Sequence, residues 1–184
     1  MLVTETSPNR IENAGKPLTS TLPNRCQMTI RMVRQSDVAL IDEMHERISR
    51  ESMYYRYLGV CKPSLKDLQR LCALENEHGV VIVATVQGER EKVIGLACFG
   101  SNPNNPATAE PAVLVEDQYQ GCGVGKRLLG TLFQHAVERG IEAFDCYIHP
   151  TNQPVLHLIK RCGLPHDIHY NDGLKEIRIW LNKN

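Results

Sequence analysis

The chain has 184 residues, of which 42% are hydrophobic and 23% are charged, and its 21 basic residues balance its 21 acidic ones. This length suits a single domain with one sizeable core. The charge is balanced, and nothing in the sequence resembles a nucleic-acid-binding stripe or a polybasic membrane anchor. The most apolar run, Val80 to Val86, is far shorter than the ~20 residues that a membrane helix needs. We therefore expect neither a nucleic acid nor a membrane as a partner.

The seven cysteines are scattered along the chain, and no two of them form a C-x-x-C pair. An odd number of scattered cysteines indicates free thiols in a reducing compartment. One spacing, that of Cys146 and His149, resembles half of a metal site. Because zinc needs three or four ligands, no metal site is predicted. We interpret the protein as cytoplasmic.

Residues 1–27 are rich in Ser, Thr, Pro and Asn and show no apolar periodicity. They also lack the basic start and the continuous apolar stretch of a secretory signal. We expect a partly disordered tail here, followed by one domain over residues 28–184.

The first predicted strand runs from Met28 to Arg34, where apolar residues alternate with polar ones. Three helical segments follow. The first begins at Ser36 or Asp37, which offer caps, and the third begins at a capping box formed by Ser64 and Asp67.

The rest of the chain brings three strands together and then alternates helices and strands. Val80 to Val86 is a β-branched run, which indicates a central strand covered on both faces. Further strands are predicted at Val93–Phe99, Glu110–Val115 and Ile141–Ile148. Two helices are predicted at Gly123–Arg139 and Asn152–Cys162, and they end at Gly140 and Gly163. The last two strands, Ile168–Tyr170 and Leu174–Leu181, form a predicted hairpin around Asn171, Asp172 and Gly173. This order predicts an α/β fold with an antiparallel first half, whereas a doubly wound nucleotide fold alternates strand and helix from the start.

The segment Q-G-C-G-V-G-K, from Gln120 to Lys126, lies between a predicted strand and a long amphipathic helix. Its glycines let main-chain N–H groups approach an anion. The start of the helix adds the positive end of its dipole, and Lys126 adds a full charge. The segment therefore predicts a site for a phosphate or pyrophosphate.

Two common phosphate-binding loops do not fit this segment. A P-loop, G-x-x-x-x-G-K-[ST], would need glycine in place of Gln120 and Ser or Thr in place of Arg127. A dinucleotide loop, G-x-G-x-x-G, does not match the alternate glycines found here. The acidic residue at the distance that such a fold requires, Asp145, lies in the middle of a predicted strand and not at its end.

The stretch A-E-P-A-V-L-V-E-D-Q-Y-Q-G-C-G-V-G, from Ala109 to Gly125, resembles the GNAT superfamily of N-acetyltransferases. Their signature Q/R-x-x-G-x-G/A is matched by Gln120, Gly123 and Gly125, and their asparagine after the next strand by Asn152. The resemblance extends over the whole predicted domain. It implies acetyl-CoA as co-substrate and a mixed, largely antiparallel sheet of about seven strands, flanked by helices and splayed at the cofactor site.

Within that superfamily the sequence is most similar to bacterial protein-lysine acetyltransferases that modify acyl-CoA synthetases. S-R-E-S-M-Y-Y-R-Y-L, from Ser49 to Leu58, is similar to their S-P-E-S-R-Y-x-R-F-F. Ala109 and Glu110 precede the V-L-V strand, where that family keeps its catalytic glutamate. The resemblance implies direct transfer of acetyl to a protein lysine, with a small-molecule amine as the second class of acceptor.

The resemblance also implies roles for single residues. Glu110 would accept the proton of the amine, because only about one lysine in 10³ is neutral at pH 7. The main chain of Val113 to Val115 would align the pantetheine and polarise the thioester carbonyl, and Asn152 would contact the pantetheine. The expected cofactor-binding residues are Val113, Leu114, Val115, Gln120, Gly121, Cys122, Gly123, Val124, Gly125, Lys126 and Asn152.

Two positions depart from the family pattern. Pro111 removes a main-chain donor beside Glu110, and it either marks the splay between strands or displaces Glu110. Ile159 stands where many members carry a tyrosine as general acid, although a thiol with a pKa near 8.5 leaves tolerably without one. These departures leave a non-catalytic acetyl-CoA sensor open. The sequence also leaves open the regulation and the oligomeric state, a homodimer included.

Other side chains near the predicted site receive structural interpretations. We expect Cys122 and Cys146 to be structural thiols and not acetylated nucleophiles, since one lies in the glycine turn and the other in a strand. Tyr54, Tyr55 and Tyr57 of the second helix are expected in the core or at its rim, where they could line a channel for the amine.

Overall fold

The computed structural model describes residues 17–59, 61–74 and 79–181. Its strands are β1 (Leu18–Thr21), β2 (Gln27–Met32), β3 (Gly79–Gln87), β4 (Glu91–Ser101), β5 (Thr108–Val115), β6 (Ala143–Ile148), β7 (His166–Asn171) and β8 (Leu174–Trp180). Its α-helices are α1 (Val38–Glu46), α2 (Arg50–Tyr57), α3 (Leu65–Cys72), α4 (Val124–Glu138) and α5 (Gln153–Cys162). None of these helices is both long enough and apolar enough to cross a membrane.

The eight strands form a single sheet in the order β1-β2-β3-β4-β5-β6-β8-β7. Neighbouring strands are antiparallel except β5 and β6, which run parallel. A parallel pair needs a long crossover, and α4 provides it. The mixed, largely antiparallel fold is thus confirmed, and all seven predicted strands are present with ends that differ by at most two residues.

The eighth strand, β1, corrects the boundary of the predicted tail. Leu18 pairs with Ile30 of β2, and Leu22 is 2% exposed within the core. Residues 18–22 therefore belong to the folded domain, while residues 1–16 lie outside the described residues. The strand gave no sequence signal because L-T-S-T lies at the edge of the sheet, mostly exposed, and needs no apolar alternation.

The core lies on both faces of β3, where eight of nine residues are buried. Leu128 of α4 lies in the core cluster on one face, and Ile41 of α1 and Leu68 of α3 lie in the cluster on the other. This confirms the prediction of a doubly covered central strand. It also explains the run of β-branched residues, because neither face of β3 meets water.

Several predicted helix ends and turns are confirmed. Ser64 accepts a hydrogen bond from the Asp67 N–H at 3.2 Å, and Asp67 accepts one from the Ser64 N–H at 3.1 Å. Gly140 and Gly163 follow α4 and α5 with φ of 75° and 65°, the left-handed region that ends a helix. The hairpin turn between β7 and β8 likewise has positive φ at its two central residues.

Asp37 precedes α1 as predicted, but its side chain does not cap the helix. The carboxylate is buried and accepts two hydrogen bonds from Arg31, at 2.7 and 2.9 Å. The same carboxylate accepts the Arg34 N–H at 2.7 Å and so caps the short 3₁₀ turn at Gln35–Asp37 that precedes α1.

Candidate active site

The sheet opens between β5 and β6. These strands pair only at Thr108 with Ala143 and at Ala109 with Phe144, whereas β5 continues beside β4 as far as Val115. The gap that results is a cleft of about 530 Å³, bounded by α2, α4 and α5. The predicted splay of the sheet therefore lies at this position.

Pro111 stands just beyond the last pair between β5 and β6. Its register with β4 is continuous, with Phe99 opposite Pro111 and Gly100 opposite Glu110. A residue without an N–H is tolerated where a strand has lost one neighbour. Of the two interpretations of Pro111, the structure favours the splay, because Glu110 keeps its place in the ladder.

The glycine-rich turn leads from a 3₁₀ turn at Asp117–Tyr119 into α4. Gly121 and Gly123 have φ of 73° and 85°, a conformation that favours glycine. The first helical bond of α4 runs from the Arg127 N–H to the Gly123 carbonyl at 3.2 Å. The N–H groups of the preceding turn therefore point out of the end of the helix, as an anion site requires.

Gly125 has a second role that the motif alone did not show. A Cβ atom at this position would lie 3.2 Å from Leu158 Cδ2 of α5 and 3.7 Å from Val115 Cγ2 of β5. The absence of a side chain thus lets α4, α5 and β5 come together at the floor of the cleft.

Most of the predicted site residues line this one cleft. They are Glu110, Val113, Leu114, Val115, Gln120, Gly121, Gly123, Gly125, Lys126 and Asn152. Two predicted residues do not: the Val124 side chain is fully buried, and Cys122 packs against the same core. Their side chains are therefore not expected to contact the cofactor, and only their main-chain N–H groups remain as predicted donors to it.

Gln120 joins the turn to helix α2. Its amide nitrogen donates to Ser52 Oγ at 3.0 Å and to the Val115 carbonyl at 3.1 Å. Asp117 completes the junction, since its carboxylate accepts hydrogen bonds from the hydroxyls of Ser49 and Ser52. Burial alone would raise the pKa of Asp117, but these hydrogen bonds lower it. Because Gln120 binds both α2 and β5, its side chain is held in the wall of the cleft.

Asn152 also has a structural bond. Its Oδ1 accepts the Val155 N–H at 3.2 Å and caps α5. Within the described part of the chain no hydrogen bond uses its Nδ2, which leaves the amide donor available to the cleft. Ile159, at the place of the family tyrosine, is buried and lines the cleft without a hydroxyl group.

Glu110 is the only carboxylate among the described residues that line the cleft. Its side chain is exposed, and no described residue donates a hydrogen bond to it. The neighbouring Cys146 thiol is buried, and burial raises its pKa to about 12. A thiol with this pKa stays protonated at neutral pH, which supports the structural interpretation of Cys146.

Sequence reasoning missed several residues that the fold brings to the cleft. His157 and Arg161 of α5 line it together with Lys126, and Ser52 and Arg56 line it from α2. Their spacing along each helix carries no signal of a site, because α2 and α5 meet the glycine turn only in the tertiary structure.

The three tyrosines of α2 separate into different environments. Tyr55 lines the cleft, and its hydroxyl lies 3.2 Å from the carbonyl oxygen of Thr151, which ties α2 to the loop after β6. Tyr57 stacks near His45 away from the cleft, and Tyr54 is exposed beside His149.

Comparison with known proteins agrees with this geometry. A model of the acetyltransferase (GNAT) family matches residues 42–164, more than half of the chain. The chain belongs to the GNAT family. This membership confirms the predicted class of enzyme, an acetyl-CoA-dependent acetyltransferase.

Single relatives add detail. The chain is 31% identical over 134 residues to acetyltransferase Pat of Mycolicibacterium smegmatis, covering 73% of this chain and 40% of that protein. The chain therefore spans less than half the length of that relative. Its fold is similar to the GNAT domain of S. lividans PAT, with a TM-score of 0.80 and 24% identity over 89% of this chain and 96% of that one. It also resembles the structure of yncA from Salmonella typhimurium with its cofactor acetyl-CoA, with a TM-score of 0.68 and 21% identity over 85% of this chain and 95% of that one.

Proposed function

We propose that this chain transfers the acetyl group of acetyl-CoA to the side-chain amine of a lysine in a protein. The observation that carries the proposal is the polarity of the cleft. The N-terminus of α4 and nearby cations line it beside the glycine turn. Glu110, the only carboxylate among the described lining residues, lines it where β5 and β6 begin to separate. Five residue steps along β5 separate Glu110 from Val115 beside the glycine turn, which corresponds to about 17 Å. The cleft thus has room for an extended molecule between the two ends.

The cationic end fits the phosphates of acetyl-CoA. The N–H groups before Arg127 point out of α4, and Lys126, His157 and Arg161 line the same region. Lys126 is near enough to α5 for its charge to act on Cys162, whose pKa burial raises and Lys126 lowers. Main-chain donors, a helix dipole and full charges together form a strong anion site.

The middle of the cleft fits the pantetheine arm. Beyond Ala109 one edge of β5 has no strand beside it. Along Val113 to Val115 the main-chain groups that face this edge can bond an extended amide chain, except the Val115 carbonyl, which already accepts from Gln120. When bound, acetyl-CoA supplies the activated acetyl group. Main-chain N–H groups on this edge would stabilise negative charge that develops on the carbonyl oxygen, and the free Nδ2 of Asn152 adds a donor.

The remaining task of the chain is to handle the proton of the amine. Glu110 has no hydrogen bond to another described residue, so its carboxylate is available to accept that proton, directly or through water. Cys146 is the only cysteine among the described residues that line the cleft, and burial raises its pKa to about 12, so its thiol does not compete for the acetyl group at neutral pH. These features support direct transfer to the amine.

A protein lysine is favoured as acceptor by the segment Ser49 to Leu58. This segment resembles bacterial protein-lysine acetyltransferases, and it contains α2, whose Ser52, Tyr55 and Arg56 line the cleft. The helix therefore lies where an acceptor would enter.

The test is steady turnover. The purified protein would be mixed with acetyl-CoA and a peptide that contains one lysine, and both free CoA and the mass of the peptide would be followed. We expect equal amounts of CoA and of singly acetylated peptide. The same peptide with arginine in place of lysine should give neither. Tight binding of acetyl-CoA with no turnover on any amine would instead identify a sensor.

A further inference from the structure

Arg56 is a cation on the cleft wall that the proposed chemistry does not use. It lies in the last turn of α2, three and four residues after Met53 and Ser52. Because residues four apart share one face of a helix, Arg56 and Ser52 both line the cleft, in which Glu110 is also found. The side chain of Arg56 is half-buried.

The guanidinium of Arg56 is held in place by its neighbours. Its central carbon lies 4.7 Å from the centre of the Tyr57 ring, and its Nη2 lies 3.9 Å from Cys98 Sγ. The Tyr57 hydroxyl in turn lies 2.7 Å from His45 Nε2, and His45 Nδ1 lies 2.8 Å from the Ile41 carbonyl. Since Nδ1 must donate to that carbonyl, Nε2 accepts from the tyrosine hydroxyl, and burial lowers the pKa of His45. Arg56 therefore rests on a fixed surface.

Despite this fixed position, Arg56 has no acidic partner among the described residues. Five other described arginines each form an ion pair with a carboxylate: Arg31, Arg47, Arg70, Arg90 and Arg178. A fixed, half-buried guanidinium presents a planar fork of donors that matches a carboxylate. Because Arg56 lines the cleft, a carboxylate for this fork can come from a molecule that is bound there.

Arg56 and Glu110 flank the same point of the sheet. Burial raises the pKa of the Cys98 thiol, the charge of Arg56 lowers it, and the charge of Glu110 raises it further. Cys98 therefore lies near both charges. Glu110 is opposite Gly100, two residues along β4 from Cys98, which is a separation of about 7 Å. A Cβ atom added to Gly100 would meet nothing within 4 Å, so this part of the wall is open.

From this arrangement we infer that Arg56 selects acceptors that carry a carboxylate close to the reacting amine. Glu110 receives the amine, and Arg56 binds an Asp or Glu side chain within about two residues of the acceptor lysine, since two residues of extended chain span about 7 Å. This inference rests on the proposed transfer to a protein lysine. It assigns Arg56 to specificity and not to the chemical step.

The experiment compares two peptides of equal length with a single central lysine. Glutamate flanks the lysine on both sides in one peptide, and glutamine flanks it in the other. We expect the wild-type protein to show a KM roughly tenfold lower for the glutamate peptide, in line with a charge-assisted hydrogen bond. Arg56→Gln should raise the KM for the glutamate peptide to that for the glutamine peptide, with little change in kcat. Arg56→Lys should restore part of the preference, because it keeps the charge but loses the fork.

The matched control is Arg50→Gln, which removes an exposed arginine from the same helix outside the cleft and should change neither KM. Thermal melting and the dissociation constant of acetyl-CoA would be measured for every variant.

Equal KM values for the two peptides on the wild-type protein would overturn the inference while leaving the proposed function intact. Weaker binding of acetyl-CoA by Arg56→Gln would also overturn it, because Arg56 would then belong to the cofactor site. If free glutamate were acetylated in preference to both peptides, a protein acceptor would be wrong; if no amine were acetylated, the proposed function itself would fail.

Discussion

Glu110 is exposed on the wall of the cleft, without a hydrogen bond from any described residue. A carboxylate in this position binds no partner that the amine would first have to displace. Its position in the sheet is nevertheless fixed, because β5 and β4 pair continuously from Ala109 to Val115. Glu110 thus combines a free side chain with a rigid main chain, which suits a general base.

We expect Glu110→Gln to lower the rate of acetyl transfer by ~10²–10⁴-fold, the usual cost of losing a general base. The affinity for acetyl-CoA should stay unchanged, since the lost interaction is with the amine. The defect should shrink between about pH 7 and pH 10, because more of the amine is then already neutral. Turnover over this range and a binding titration would test this. Glu142→Gln, an exposed glutamate outside the cleft, is the control and should keep wild-type rates. Equal rates for Glu110→Gln and the wild type would place the base elsewhere.

Arg31 and Asp37 form a buried ion pair, with side chains that are only 6% and 3% exposed. Burial alone would raise the pKa of Asp37, but the hydrogen bonds from Arg31 and from the Arg34 N–H give it a pKa below its ordinary value. A carboxyl with a lowered folded pKa stabilises the fold above its unfolded pKa, near 3.9, and this stabilisation is lost as the pH falls through the folded pKa.

Asp37→Asn should therefore lower the free energy of unfolding at pH 7 by about 2 kcal/mol, because it leaves the buried Arg31 with the partly exposed Glu91 as its remaining charge partner. It should also weaken the loss of stability below about pH 4. Urea unfolding at several pH values would measure both effects. Glu43→Gln removes the exposed pair with Arg90 and should cost less than about 1 kcal/mol. If the two variants lost similar amounts of unfolding free energy, burial of the Arg31–Asp37 pair would not add to its contribution to stability.

At the scale of elements, the glycine turn and helix α5 depend on each other. Leu158 of α5 lies where a side chain at Gly125 would be placed. A larger residue at position 125 would therefore push α5 away from α4 as well as narrow the anion site. This differs from the simpler expectation that the glycines serve only the approach of a phosphate.

Gly125→Val should consequently weaken acetyl-CoA binding and also lower the melting temperature. The matched control is Gly130→Val, also in α4, where an added Cβ meets nothing within 4 Å. We expect Gly130→Val to bind as the wild type does, since the site is open and valine has a slightly better helix propensity than glycine. Calorimetric titration and thermal melting would report binding and stability separately. Wild-type affinity in Gly125→Val would mean that the turn does not hold the cofactor.

At the scale of the whole molecule, the cleft lies where the pairing of β5 with β6 stops in an otherwise continuous sheet. Core residues pack on both faces of β3, and strand pairing holds the two halves of the sheet together only at the first residues of β5 and β6. A ligand that spans the gap would connect α4, α5 and β5. Its binding should therefore stabilise the entire domain and not one loop.

Acetyl-CoA at 100 times its dissociation constant should add about 2.7 kcal/mol to the stability of the fold. For a chain of this size the melting temperature should rise by about 5–10 °C. NAD and ATP at the same concentrations should give much smaller shifts, because the turn matches neither of their usual loops. A larger shift with NAD or ATP would contradict the assignment of the cleft.

The sequence by itself determined those features that depend on short-range patterns. The glycine turn of Gln120 to Lys126, the capping box at Ser64 and the β-branched run of β3 each appear in the structure where their spacing predicted them. Such signals are reliable because a turn, a helix cap and the spacing of apolar residues each depend on residues that are close together in the sequence.

Only the tertiary structure decided which distant side chains share the cleft. Arg56 and Tyr55 of α2, and His157 and Arg161 of α5, reach it through packing between segments far apart in the chain. The edge strand β1 and the Arg31–Asp37 pair also escaped prediction, although their partners lie nearby in the chain. Pairing at an edge and contacts between elements leave no periodic trace, since their energy depends on partners that folding alone brings together.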